Sequence, residues 1–130
     1  MTRDDWLELT VLERKKYNYL TEVQDLTRQL AECLDRNDQV SARMLVAMRQ
    51  DPIRQLAEVD SSEKARLNAL TEEDRSRAEA LRRGEQSPGE DGERIFLEQA
   101  GKTRRLLEQV VELDRRTSVR MAGEQSFYHK

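Results

Sequence analysis

A heptad through the first quarter of the chain constrains the fold most. With Leu9, Lys16, Val23 and Leu30 at position a and Leu12, Tyr19, Leu26 and Cys33 at d, every seam position except Lys16 is apolar. Alternating steps of three and four over four repeats describe a helix that buries one side against another helix. The predicted helix runs from about Asp4 to Asp35, roughly 48 Å at 1.5 Å per residue. Leu7, Leu20 and Leu34 widen the stripe beyond a two-stranded seam, which suits a bundle with more than one neighbour.

Punctuation along the rest of the chain sets the other elements. Asn37 and Asp38 break the pattern, and Asp38 is a good N-cap for a helix beginning at Gln39. Val40, Met44, Ala47 and Met48 form an apolar face there. Pro52 lacks an N–H and disfavours helical geometry at Asp51, so the second arm, 39 to 70, is expected to kink or restart near 51–52. Thr71-Glu72-Glu73-Asp74 resembles a capping box for a short helix over 72–83, which Gly84 ends. With only Ala78, Ala80 and Leu81 as anchors, this helix is expected to dock loosely. Residues 84–92 read as a flexible loop. The last helix is predicted over 93–122, along Phe96, Ala100, Thr103, Leu107, Val110, Asp114, Thr117 and Met121, with Gly123 ending it and 125–130 as a flexible tail. No sustained alternation marks a strand. The expected fold is an all-α antiparallel bundle or coiled coil of three to four helices, one domain over 1–124, with long N- and C-terminal helices.

Composition narrows the function. Ala, Glu, Lys, Leu and Arg make up 65 of 130 residues, as in long helices, while Leu, Val, Ile and Phe make up only 28. So small an apolar share makes a homodimer an expectation, since a partner would supply missing core. One Cys excludes an internal disulfide framework, and Cys33 on the seam reads as a small buried hydrophobe rather than a reactive thiol. No apolar run reaches the ~18 residues of a membrane span, and Met1-Thr2-Arg3-Asp4-Asp5-Trp6 lacks the apolar core of a signal peptide. A cytoplasmic location without membrane insertion is expected.

The single histidine, His129, sits in the tail, so His-based metal sites and catalytic triads find no partner. No Walker A or dinucleotide loop occurs, and Glu85, Glu90 and Asp91 would repel phosphate from the Gly-rich loop. Neither an enzyme nor a cofactor is expected. Basic pairs recur at Lys15-Lys16, Arg82-Arg83, Arg104-Arg105 and Arg115-Arg116, but acidic neighbours surround them and the net charge is −3. They read as solvated helix faces rather than a nucleic-acid stripe. Trp6 is expected to cap the end of the bundle or to sit in an interface.

The candidate partner-binding residues lie on the last helix. Leu106, Leu107, Val110, Val111 and Leu113 cover more than one 100° stripe. Either the excess meets a second surface, or it is buried between several helices of one bundle. Met44 and Met48 join this set, since methionine suits flexible apolar partners, although core filling is its commoner use.

The stretch Asn37-Asp38-Gln39-Val40-Ser41-Ala42-Arg43-Met44-Leu45-Val46-Ala47-Met48-Arg49-Gln50-Asp51-Pro52-Ile53 resembles the second-helix region of FlgN/FliT-like proteins. Size, helical heptads and acidic balance extend that resemblance to flagellar type III export chaperones over nearly the whole chain. The resemblance implies a cytoplasmic chaperone that covers the apolar terminal helix of a late flagellar axial subunit, a hook–filament junction or filament-cap protein, and that contacts the export machinery. The alternative is a structural or adaptor coiled coil that homodimerises without an export role.

Overall fold

The computed structural model describes the backbone of residues 1–128 and the side chains of residues 1–123, and contains four helices. They are α1 (Arg3–Asp35), α2 (Gln39–Asn68), α3 (Glu72–Arg82) and α4 (Asp91–Tyr128). There is no strand among the described residues, and the fold is an all-α bundle. Local chemistry sets the helix ends. Thr2 and Asp5 form a reciprocal capping box at the start of α1. Asn37, in the left-handed region at φ 57°, ends it: the Asn37 N–H bonds to the Leu34 carbonyl and the Asp38 N–H to that of Cys33. Asp38 then turns its carboxylate to the Ser41 N–H and starts α2. Gly84, at φ 74°, ends α3 with the same pair of bonds, from Gly84 to Leu81 and from Glu85 to Ala80. Half of the expected box at Thr71 is present: its hydroxyl accepts from the Asp74 N–H, while the Asp74 carboxylate lies 3.6 Å from the Met1 amino group.

Pro52 does not divide the second arm. α2 is one helix with Pro52 inside it and its ring buried. α4 also runs past its predicted end, continuing beyond Gly123 to Tyr128, and it takes up most of the segment read as a tail. Nothing disfavours α geometry there strongly enough, since one Gly costs only about 1 kcal/mol. His129 and the end of the predicted tail lie outside the described residues.

α2 runs antiparallel to α1, and α4 returns alongside α1 in the same direction. Phe96 packs on Trp6, Thr103 bonds to the Glu13 carbonyl and Arg120 pairs with Asp35. α1 is therefore the central helix, with α2 and α4 packed along it but not on each other. That position rotates its buried stripe away from a strict a/d seam. Trp6, Leu9, Glu13, Leu20, Val23, Thr27, Leu30, Cys33 and Leu34 are buried, while the d residues Leu12, Tyr19 and Leu26 are only half-buried.

Three apolar layers stack along the bundle. The lowest joins Trp6, Leu9, Leu67, Ala78, Leu81, Phe96 and Ala100. The middle joins Leu20 and Val23 to Leu106 and Val110, and the upper joins Leu30, Cys33 and Leu34 to Ala42 and Leu45. Trp6 closes the lower end, its ring 5.4 Å from Phe96, and Gly92 lies so close that a Cβ there would stand 3.2 Å from the Trp6 Cβ. The short helix docks firmly, contrary to the sequence expectation, because Ala78 and Leu81 are wholly buried in this layer. The 84–90 loop is tied down as well, by Arg77, which donates to the Ser87 carbonyl and to buried Glu93.

Leu81→Ala and Phe96→Ala are each expected to lower the unfolding free energy by about 2–5 kcal/mol. Met48→Ala, on an exposed face, should change it by less than about 0.5 kcal/mol. Urea denaturation followed by far-ultraviolet circular dichroism reads both.

Candidate partner-binding groove

α3 has 11 residues, and the three helices around it have 33, 30 and 38. It fills the space between α2 and α4 only at the lower end. Beyond its last turn the two flanking helices enclose an open groove of about 510 Å³. Leu56, Ala57 and Asp60 of α2 form one wall, and Ala100, Thr103, Arg104 and Leu107 of α4 the other. Glu13, Lys16 and Leu20 of α1 are the floor, and Arg82 and Arg83 close the lower end. From Ala100 to Leu107 the α4 wall covers about 10 Å of helix, or two turns. Two turns beyond Leu107, an ion pair between Arg49 and Asp114 joins α2 to α4.

The floor is charged and mostly dry. Glu13 and Glu63 are 2% and 1% exposed, between the lower and middle apolar layers. Lys16 Nζ lies 2.9 Å from Glu63 Oε1, 3.5 Å from Glu13 Oε1 and 3.7 Å from Asp60. Arg82 reaches the same Glu63 oxygen at 3.4 Å. Burial pushes the Glu13 carboxyl up to about 8, with the adjacent Glu63 carboxylate adding to the rise. A hydrogen bond between the Glu13 and Glu63 carboxyls also favours the protonated form of Glu13. For Lys16, burial alone would lower the pKa, but the surrounding carboxylates outweigh it and hold the ammonium above its ordinary value. These groups were not singled out in the sequence. The one signal for them was Lys16, the charged residue on an otherwise apolar seam, which required acidic partners.

The candidate residues separate. Leu106 and Val110 are buried in the middle layer, and Leu113 is half-buried. Leu107 and Val111 are 46% and 59% exposed. The buried path of α4 thus steps through Leu106, not Leu107. Burial within the bundle holds for Leu106 and Val110, while Leu107 and Val111 form an outward face. Leu107 lines the groove, and Val111 lies one turn above it on the same side of α4. Met44 and Met48 are exposed but not beside them. Helical geometry puts the two methionines on the side of α2 shared by Gln55, Val59 and Ser62, which line the opposite furrow against α1.

The basic pairs are largely engaged within the fold. Arg83 pairs with Glu79 and Glu85, Arg104 donates to the Arg82 carbonyl, and Arg115 and Arg116 pair with Glu112. Cys33 is buried in the upper layer, as its seam position implied. Among the described residues no cluster of His, Cys, Asp or Glu is arranged to hold a metal, and no helix is long and apolar enough to cross a membrane. No protein-family model matches the chain, and no match is found among curated proteins or solved structures.

The Glu13 proton is kept in the folded chain up to about pH 8 and lost near the ordinary value of 4.5 on unfolding. Its contribution to stability is therefore fully present below about 4.5 and is lost as the pH rises through 8. Glu13→Gln, which keeps a donor for Glu63, should match the parent at pH 5 and exceed it at pH 9 in chemical denaturation. Lys16→Met removes one of the two cations on buried Glu63 and leaves Arg82, and should cost about 1–3 kcal/mol at pH 7 in the same assay.

Proposed function

We propose that this protein is a helix-capturing chaperone of the FlgN/FliT type, acting in the cytoplasm on the terminal helix of a late flagellar axial subunit before export. The observation that carries the reading is the vacant helix position beyond α3, bounded by α2 and α4 and edged by exposed Leu107 and Val111. A groove lined over two turns of α4, from Ala100 to Leu107, offers a seat for one face of an amphipathic helix. The work needs no bond-making chemistry: covering an apolar stripe keeps an unassembled subunit from aggregating. The resemblance of the 37–53 stretch supplies the flagellar part of the proposal.

The test uses the host's purified hook-associated and filament-cap proteins, with and without their terminal helices. One of them is expected to bind the full chain only when its terminal helix is present. Leu107→Asp with Val111→Asp should abolish that binding while helicity and melting temperature stay unchanged, since both side chains face outward. Val110, in the core, is unsuitable for this purpose. A folded double variant that still binds its client would move the site off the groove. Binding to neither subunit, with self-association alone, would favour the structural coiled coil.

A further inference from the structure

We propose that two copies of this chain associate through the α1–α2 face opposite the groove, with α1 lying antiparallel on α1 of the other copy about a two-fold axis at Tyr19. The proposal is independent of helix capture. It starts from the heptad of α1, whose d residues Leu12, Tyr19 and Leu26 the fold leaves half-buried. Leu12 and Tyr19 line an open furrow of about 410 Å³ between α1 and α2. Met44 and Met48 continue the same side of α2, and both are exposed. A continuous apolar face of this kind marks a site of association.

The charges along the face name the occupant. Lys15 and Glu22 flank Tyr19 on the furrow, both are exposed, and neither has an ion-pair partner among the described residues. They hold successive g positions of the heptad, about 10 Å apart along the helix and too far to pair with each other. Such positions pair across facing helices and set their orientation. A parallel pairing would set Lys15 against Lys15 and Glu22 against Glu22. A half-turn about Tyr19 instead sets Lys15 of each copy against Glu22 of the other, Leu12 against Leu26 and Tyr19 against its own equivalent. The face is its own complement, as an isologous dimer requires. The same half-turn matches the ends. Leu45 packs in one layer with Leu30, so Met44 and Met48 stand at that level of α1. The half-turn carries them to the level of Leu7 and Val11 of the other copy, which are exposed along a hollow of about 470 Å³. Glu58, the remaining charge on the furrow, is exposed in line with Asp51 on the outer edge of α2, where water reaches it.

Sedimentation equilibrium of the full chain tests the pairing by charge exchange, with circular dichroism as the check on folding. A dimer that parts on dilution is expected. Lys15→Glu and Glu22→Lys should each weaken it about tenfold, since each turns two exposed attractive pairs into repulsive ones. The variant carrying both exchanges should regain the parent's affinity. Leu107→Asp, on the groove side, should leave the dimer unchanged. A chain that is monomeric at every concentration overturns the proposal. So does a dimer that neither single exchange weakens, or one that the double exchange fails to restore. A dimer dissociated by Leu107→Asp assigns the second copy to the groove and overturns it as well.

Discussion

A helix of eleven residues cannot cover what helices three times its length leave open. α3 completes a four-helix cross-section around Trp6, Leu81 and Phe96, then stops at Gly84. Above it α1 keeps two neighbours, and α2 and α4 stay apart because each is packed on α1 instead. The groove, its basic lower end and the outward face of α4 all follow from this mismatch in length. The stop is fixed locally. Gly84 at φ 74° accepts the left-handed geometry that the two terminal bonds require, and Arg104 reaches across to the exposed carbonyl of Arg82.

The charged layer under the groove is the second consequence. A bundle that closed fully at this level would bury apolar side chains of similar volume at equal or lower cost. Here Glu13, Lys16 and Glu63 occupy the level at which α3 ends, between the lower and middle apolar layers. With Glu13 protonated, the Lys16 ammonium and the Arg82 guanidinium face Glu63 and the half-exposed Asp60, and the layer is close to neutral. Its two long cations come from α1 and α3, and its acids from α1 and α2. The layer therefore ties α1, α2 and α3 together at one axial level.

The sequence disclosed what depends on local periodicity and concealed what depends on three-dimensional neighbours. Four helices, the caps at Asp38 and Thr71 and the stop at Gly84 were legible, because each rests on side chains within four residues of one another. The rotation of the α1 stripe toward Leu20 and Leu34 was visible only as excess width, since the heptad cannot say which flank a second neighbour will take. Leu106 and Leu107 are adjacent on α4, and nothing local decides which is core; α1 decides it, by placing Leu20 and Val23 beside Leu106. Pro52 left a kinked helix and a restarted one equally open, and local residues could not choose; α2 is one helix with the Pro52 ring buried. The firmness of α3 was hidden because small Ala78 lets the helices approach, and small side chains contribute little to an apolar count.

A wholly apolar trough of this size would favour self-association, because exposed apolar surface has no better partner than another copy. A floor carrying Lys16 and its carboxylates behaves differently. Asp60 and Arg82 beside it stay partly in water when the groove is empty and lose that water when apolar surface is laid over them, which opposes nonspecific burial. On the reading proposed above, selection follows from this opposition. An apolar segment without polar groups gains from Leu56 and Leu107 but must desolvate Arg82 and Asp60 with nothing returned, whereas one carrying polar groups at the right turns recovers the loss.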